Sequence, residues 1–134
     1  MLAKPCQPLV TMKQPTAVKA VGWCPWTTDV IATGGGWNDG KIRIWDTNSG
    51  SCMTSVDTHS QICALRWDDV NKGLVSGHGR PDHQVIFWDW KPPSLELKFQ
   101  LSGHSERVLH LALSPDGDKI FSAGADDFFM VWSL

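Results

Sequence analysis

An all-β chain built from one repeated unit is predicted by three observations. Tryptophans recur at Trp45, Trp88 and Trp132, spaced 43 and 44 residues apart. Three stretches align beneath one another: Val18-Lys19-Ala20-Val21-Gly22-Trp23, Ile62-Cys63-Ala64-Leu65-Arg66-Trp67 and Val108-Leu109-His110-Leu111-Ala112-Leu113. The 134 residues contain 12 Gly and 8 Pro spread along the chain, with eight Trp, five Phe and no Tyr, which suits many short strands cut by turns.

The elements follow in order. Pro8-Leu9-Val10-Thr11-Met12 reads as a stray strand within residues 1–14, the outer strand of a preceding unit plus a linker. Three repeats follow at about 15–58, 59–103 and 104–134, the aligned stretches above opening each one. Their second strands are Ile31-Ala32-Thr33-Gly34, Leu74-Val75-Ser76-Gly77 and Ile120-Phe121-Ser122-Ala123. Their third strands end in Trp45-Asp46, Trp88-Asp89 and Trp132-Ser133. Val85-Ile86-Phe87-Trp88 and Phe128-Phe129-Met130-Val131-Trp132 are apolar at successive positions, so both faces of these strands must be covered. Turns are marked by Asn38-Asp39-Gly40, Asn48-Ser49-Gly50 and Ser114-Pro115-Asp116-Gly117. A period of about 40–45 residues closing in Trp-Asp is the signature of WD repeats, which form four-stranded blades of a β-propeller. A seven-bladed ring needs about 300 residues. The expectation is therefore about three blades of such a ring, the C-terminal part of a larger propeller or a truncated product, exposing sheet faces and edges at both ends.

A buried polar network is expected in each blade. WD repeats resemble one another in a His before the first strand, a Ser or Thr on the second, an Asp in the following turn and the closing Trp. The third repeat supplies His104, Ser122, Asp126 and Trp132; the second supplies His59, Ser76, Asp82 and Trp88. The first supplies Thr33, Asp39 and Trp45, with Gln14 in place of the His. Each Asp precedes its Trp by six residues. Buried polar groups must be paired, so these residues are read as structural.

Other function classes find no support. A net charge of −2 argues against a surface for nucleic acid and offers no polybasic patch for a membrane. No apolar run approaches the ~20 residues of a membrane span, and the first 15 residues lack the apolar core of a signal peptide. Cys6, Cys24, Cys52 and Cys63 lack the paired spacing of a zinc site and read as small buried thiols on strands, reduced in the cytosol or nucleus. Gly35-Gly36-Trp37-Asn38-Asp39-Gly40-Lys41-Ile42 nearly matches a phosphate-binding loop, but Ile42 cannot ligate Mg²⁺ and the residues that follow read as a strand, not a helix. No nucleophile stands at a matching spacing from the histidines and aspartates. The chain is read as a non-enzyme without cofactor or metal.

One resemblance is more specific. Trp23-Cys24-Pro25-Trp26, Ala32-Thr33-Gly34-Gly35-Gly36, Ile42-Arg43-Ile44-Trp45, Asp57-Thr58-His59-Ser60-Gln61, Ser76-Gly77-His78-Gly79 and Gly103-His104-Ser105-Glu106-Arg107-Val108-Leu109, in that order, resemble the fizzy family. These are the cell-division-cycle 20 type co-activators of the anaphase-promoting complex, a ubiquitin ligase. The similarity runs from about Thr11 to the end, and its opening is most similar to the divergent B branch. The resemblance implies an adaptor, cytoplasmic and nuclear, whose partners are the complex and degron-bearing substrates. Its KEN degron site maps onto Trp37, Gln61 and Arg107, with Trp37 replacing a small hydroxyl residue. The acidic residue that faces the destruction-box arginine maps onto Asp127. The family's C-box and Ile-Arg tail have no match in these residues, so ligase activation is not expected of this polypeptide alone. The alternative is a WD-repeat scaffold that has lost degron reading, or a truncated product that does not activate.

Overall fold

The computed structural model describes residues 7–134. It holds eleven strands in three antiparallel sheets. The first sheet comprises β1 (Val18–Trp23), β2 (Val30–Gly35), β3 (Lys41–Asp46) and β4 (Ser51–Asp57), in that spatial order. The second comprises β5 (Ile62–Asp68), β6 (Gly73–His78), β7 (Val85–Lys91) and β8 (Ser94–Leu101), again in order. The third has three strands, β9 (Val108–Leu113), β10 (Lys119–Gly124) and β11 (Phe129–Ser133). Each sheet is an up-and-down meander, and β1, β5 and β9 lie side by side, with β5 also against β2 and β9 against β6. These are three consecutive blades of a WD-repeat propeller.

The expected stray strand at residues 8–12 does not form, and the first strand begins at Val18. A strand exists through its ladder, and among the described residues no preceding blade is present to pair with this segment, which runs beside the Gly50 turn with Val10 near it. The three expected turns are present. Gly40, Gly50 and Gly117 adopt φ of 62°, 74° and 76°, a conformation that glycine reaches without a Cβ clash.

Blade-to-blade packing is made by inserting one side chain into a glycine notch. A Cβ on Gly34 would overlap Ile62, and one on Gly77 would lie 2.9 Å from Val108 Cγ1. Ile62 and Val108, both fully buried, thus act as equivalent knobs one repeat apart. The apolar third strands are covered as their pattern requires: Ile42, Ile44, Val85 and Phe87 are buried. The equivalent positions of the last sheet, Phe129 and Val131, are 71% and 60% exposed, because no further sheet lies on that face among the described residues.

The tryptophans divide by role. Trp45, Trp88 and Trp132 close the blades. Trp26, Trp67 and Trp90 form an edge-to-face cluster with ring centroids 5.5 and 6.1 Å apart, and the Trp67 indole N–H donates to Gly22 O across the first two blades at 2.8 Å. Trp23 and Trp37 are exposed. Of the cysteines, Cys24 is buried but follows β1 rather than lying on it, Cys52 is exposed on the outer strand β4, and Cys63 is half-buried. Cys52 departs from the expectation because an outer strand has a covered face only on one side. The expectation for Cys6 falls outside the described residues.

Candidate functional site

In every blade the closing tryptophan donates its indole N–H to the hydroxyl of the middle strand. Trp45 reaches Thr33, Trp88 reaches Ser76 and Trp132 reaches Ser122, all at 2.8 Å. Beyond that shared pair the blades differ. In the third, His104 Nε2 meets Ser122 Oγ at 2.8 Å and His104 Nδ1 meets Asp126 at 3.1 Å. Asp126 also accepts the amide N–H groups of Ser105 and Phe128. Burial pushes the Asp126 carboxyl up, but the two amides and the imidazole together outweigh it and hold it below the usual carboxylate range. In the first blade, Gln14 Oε1 accepts from Thr33 Oγ1 at 3.0 Å, taking the histidine's place. Asp39 does not join Gln14. It forms a two-pronged pair with Arg43, both bonds 2.8 Å, which lowers its pKa and raises that of Arg43.

The second blade corrects the expected network. His59 and Asp82 lie on the surface, outside it. His59 sits at φ 57°, its N–H donating to Asp57 and its ring turned to solvent. The next residue, Ser60, is the buried one. It meets His78 Nδ1 at 2.6 Å, and His78 Nε2 meets Ser76 Oγ at 2.7 Å. Asp82 keeps its spacing from Trp88, but the Gly79–Gln84 loop carries it outward, and the ring of His78 fills the core position instead. With two hydroxyls and no carboxylate as partners, burial lowers the His78 pKa to about 4. The sequence signal was the one His that directly follows Ser-Gly in β6, within the blade rather than before it.

Three of the four residues mapped from the degron sites converge. Trp37 in the β2–β3 turn, Gln61 just before β5 and Arg107 just before β9 line one cavity of about 430 Å³, with Arg80, His83 and Glu106. The loops holding them are tied by the backbone. Gly79 N–H donates to Gln61 O at 2.8 Å, Gln61 N–H to Arg80 O at 2.9 Å, His83 N–H to Gly79 O at 2.9 Å, and Ala125 N–H to Arg107 O at 2.8 Å. Gly79 packs against two of these side chains. A Cβ there would overlap Gln61 Oε1 and lie 3.0 Å from Arg107 Cγ and 3.2 Å from Cys63 Sγ. Burial raises the pKa of the Cys63 thiol. Asp127 is not in the cavity. It sits exposed at φ 70° in the β10–β11 turn, a left-handed position that Asp tolerates better than most residues. A larger opening of about 610 Å³ at the opposite end of the first blade is lined mainly by apolar residues, with Asp29 as its only charged side chain.

The fold and its indole–hydroxyl pairs define a WD-repeat protein, and the chain belongs to the WD domain, G-beta repeat family, which matches residues 6–46, 50–89 and 95–133. The resemblance to fizzy-type co-activators holds across curated relatives. The chain is 43% identical over 118 residues to "Cell division cycle 20.5, cofactor of APC complex" of Arabidopsis thaliana, covering 88% of this chain and 26% of that protein. It is 44% identical over 128 residues to "Anaphase-promoting complex subunit cdc20" of Dictyostelium discoideum (95% and 25%), and 40% over 129 residues to "Protein FIZZY-RELATED 3" of Arabidopsis thaliana (96% and 26%). The chain thus spans about a quarter of the length of these relatives. Among solved structures it matches a chain of the "Crystal Structure of Mitotic Checkpoint Complex" with TM-score 0.84 and 38% identity, covering 90% of this chain and 38% of that one.

Proposed function

We propose that this chain is a substrate-recognition segment of an anaphase-promoting-complex co-activator, a non-catalytic adaptor working in cytoplasm and nucleus that reads degron peptides on the loop-bearing face of its blades. The relatives' printed role as cofactors of that complex supports the ligase partner. The observation that carries the degron reading is the convergence of Gln61, Arg107 and Trp37 on one cavity. A guanidinium there holds a peptide carboxylate through two parallel bonds, and Gln61 offers both a donor and an acceptor to an amide side chain. Asp127 supplies an exposed carboxylate for a basic degron residue, on a separate turn. Titration of a KEN-containing peptide against the immobilised chain tests this: micromolar binding lost in Arg107→Ala is the expected result, and equal binding by wild type and Arg107→Ala overturns it.

One observation favours a second reading. Trp37 is 58% exposed at the cavity mouth, where the resemblance to the fizzy family implies a small hydroxyl residue. A bulky indole there suits a WD-repeat scaffold that engages another protein through an apolar anchor. A peptide-free cavity together with Trp37-dependent capture of a folded partner would select that reading.

A further inference from the structure

Among the described residues, two cations in the cavity have no ion-pair partner. Arg80 and Arg107 both line it, Glu106 is its only carboxylate, and His83 adds an imidazole. Among the described residues none of Arg80, Arg107 and Glu106 belongs to an ion pair, whereas Arg43, on β3, is matched by Asp39. The chain as a whole carries −2, so this small region runs against the net sign of the molecule. A concave site lined by uncompensated guanidinium groups concentrates anions.

Arg80 is held in place by the same bonds that build the cavity. Its carbonyl accepts the Gln61 amide, and the Gly79–His83 turn closes behind it. The turn is closed by the His83 N–H donating to Gly79 O at 2.9 Å, with His83 at φ 51°. The side chain of Arg80 therefore starts beside Gln61 and opens into the space that Arg107 faces from the next blade.

We infer that Arg80 is a specificity-determining residue, which selects peptides carrying an acidic group, a carboxylate or a phosphate, within a few residues of the segment that Gln61 and Arg107 read. This rests on the degron reading above. A planar guanidinium with paired donors suits either group. An extended peptide advances about 3.3 Å per residue, so a flanking acid two or three positions away spans the width of such a cavity.

The test uses surface plasmon resonance on the immobilised chain with three peptides sharing one KEN core. One has neutral flanks, one glutamate flanks and one a flanking phosphoserine. For wild type an acidic flank tightens binding about 3- to 10-fold over the neutral peptide. That gain shrinks between about 50 mM and about 300 mM salt, as a screened ion contact must. In Arg80→Ala the ratio of acidic-peptide to neutral-peptide affinity falls to near unity; Arg80→Lys keeps part of it. A gain seen with phosphoserine alone, or with glutamate alone, supports the inference and names the source of the anion. An acidic gain that persists in Arg80→Ala overturns it, as does an absence of gain in wild type. Failure of the neutral peptide alone to bind overturns the degron reading separately, and Arg80-dependent capture of the acidic peptides would then leave the anion site standing.

Discussion

Acidification should weaken this fold through one histidine. His78 is fully buried, between Ser60 Oγ at 2.6 Å and Ser76 Oγ at 2.7 Å, and its folded pKa is about 4. The unfolded chain has an ordinary imidazole near 6.5. Between those two values the unfolded state binds a proton that the folded state refuses, so stability falls as pH drops through this window; above about 6.5 the group contributes no slope. Each pH unit inside the window costs about 1.4 kcal/mol, and pH 5 lies about one and a half units below the ordinary value, so the move from pH 7 to pH 5 removes about 2 kcal/mol. Its third-blade counterpart, His104, meets the Asp126 carboxylate where His78 meets a second hydroxyl. Urea unfolding at pH 7 and pH 5, followed by circular dichroism, measures the loss. The same pair of measurements on His78→Gln, which retains hydrogen-bonding capacity but cannot titrate, isolates the contribution. A wild-type loss matched by an equal loss in His78→Gln would refute the reasoning, because the slope would then arise elsewhere.

Further outcomes follow from the same geometry. Gly79→Ala should leave the unfolding midpoint nearly unchanged, since the flexible end of Gln61 can move aside, yet weaken KEN-peptide binding at least severalfold by displacing Gln61 and Arg107. Gly34→Ala should instead lower stability by about 1–3 kcal/mol in a urea titration, because the new methyl meets the body of buried Ile62 rather than a side-chain tip. Asp126→Ala should lower the midpoint well below that of Asp127→Asn, since it strips partners from His104, Ser105 and Phe128, while asparagine tolerates the φ of 70° at Asp127; equal midpoints would contradict the network assignment. Trp37→Thr should tighten KEN-peptide binding in the resonance assay by restoring a small hydroxyl at the cavity mouth; unchanged or weaker binding would count against an altered degron site.

The repeat was legible because it is physically demanding. A closing tryptophan needs a hydroxyl twelve or ten residues earlier, and Thr33, Ser76 and Ser122 met that need in all three blades. The convergence of Trp37, Gln61 and Arg107 was likewise set by their places at loop ends that the blade register stacks on one face. What escaped the sequence were shifts of one or two residues in irregular turns. His59 and Ser60 are neighbours, and only the backbone at φ 57° decides which is buried. Asp82 kept its distance along the chain from Trp88 but not its place in space, because its loop bends outward. The segment at residues 8–12 had strand-like residues but no ladder to join, and ladder partners are not written in local sequence. Arg80 and His83 gave no motif; they matter only because the Gly79 turn brings them beside Gln61.

The degron reading puts the peptide in the cavity lined by Trp37, Gln61 and Arg107. A KEN peptide bearing a photoreactive benzophenone beside the motif, irradiated with the chain and analysed by mass spectrometry, tests it most directly. Cross-links confined to Trp37, the Gly79–Gln84 loop and the Ser105–Arg107 segment, competed away by unlabelled peptide, are the predicted result. Cross-links concentrated on the exposed Phe129 and Val131 face, or labelling that excess unlabelled peptide does not suppress, would contradict it.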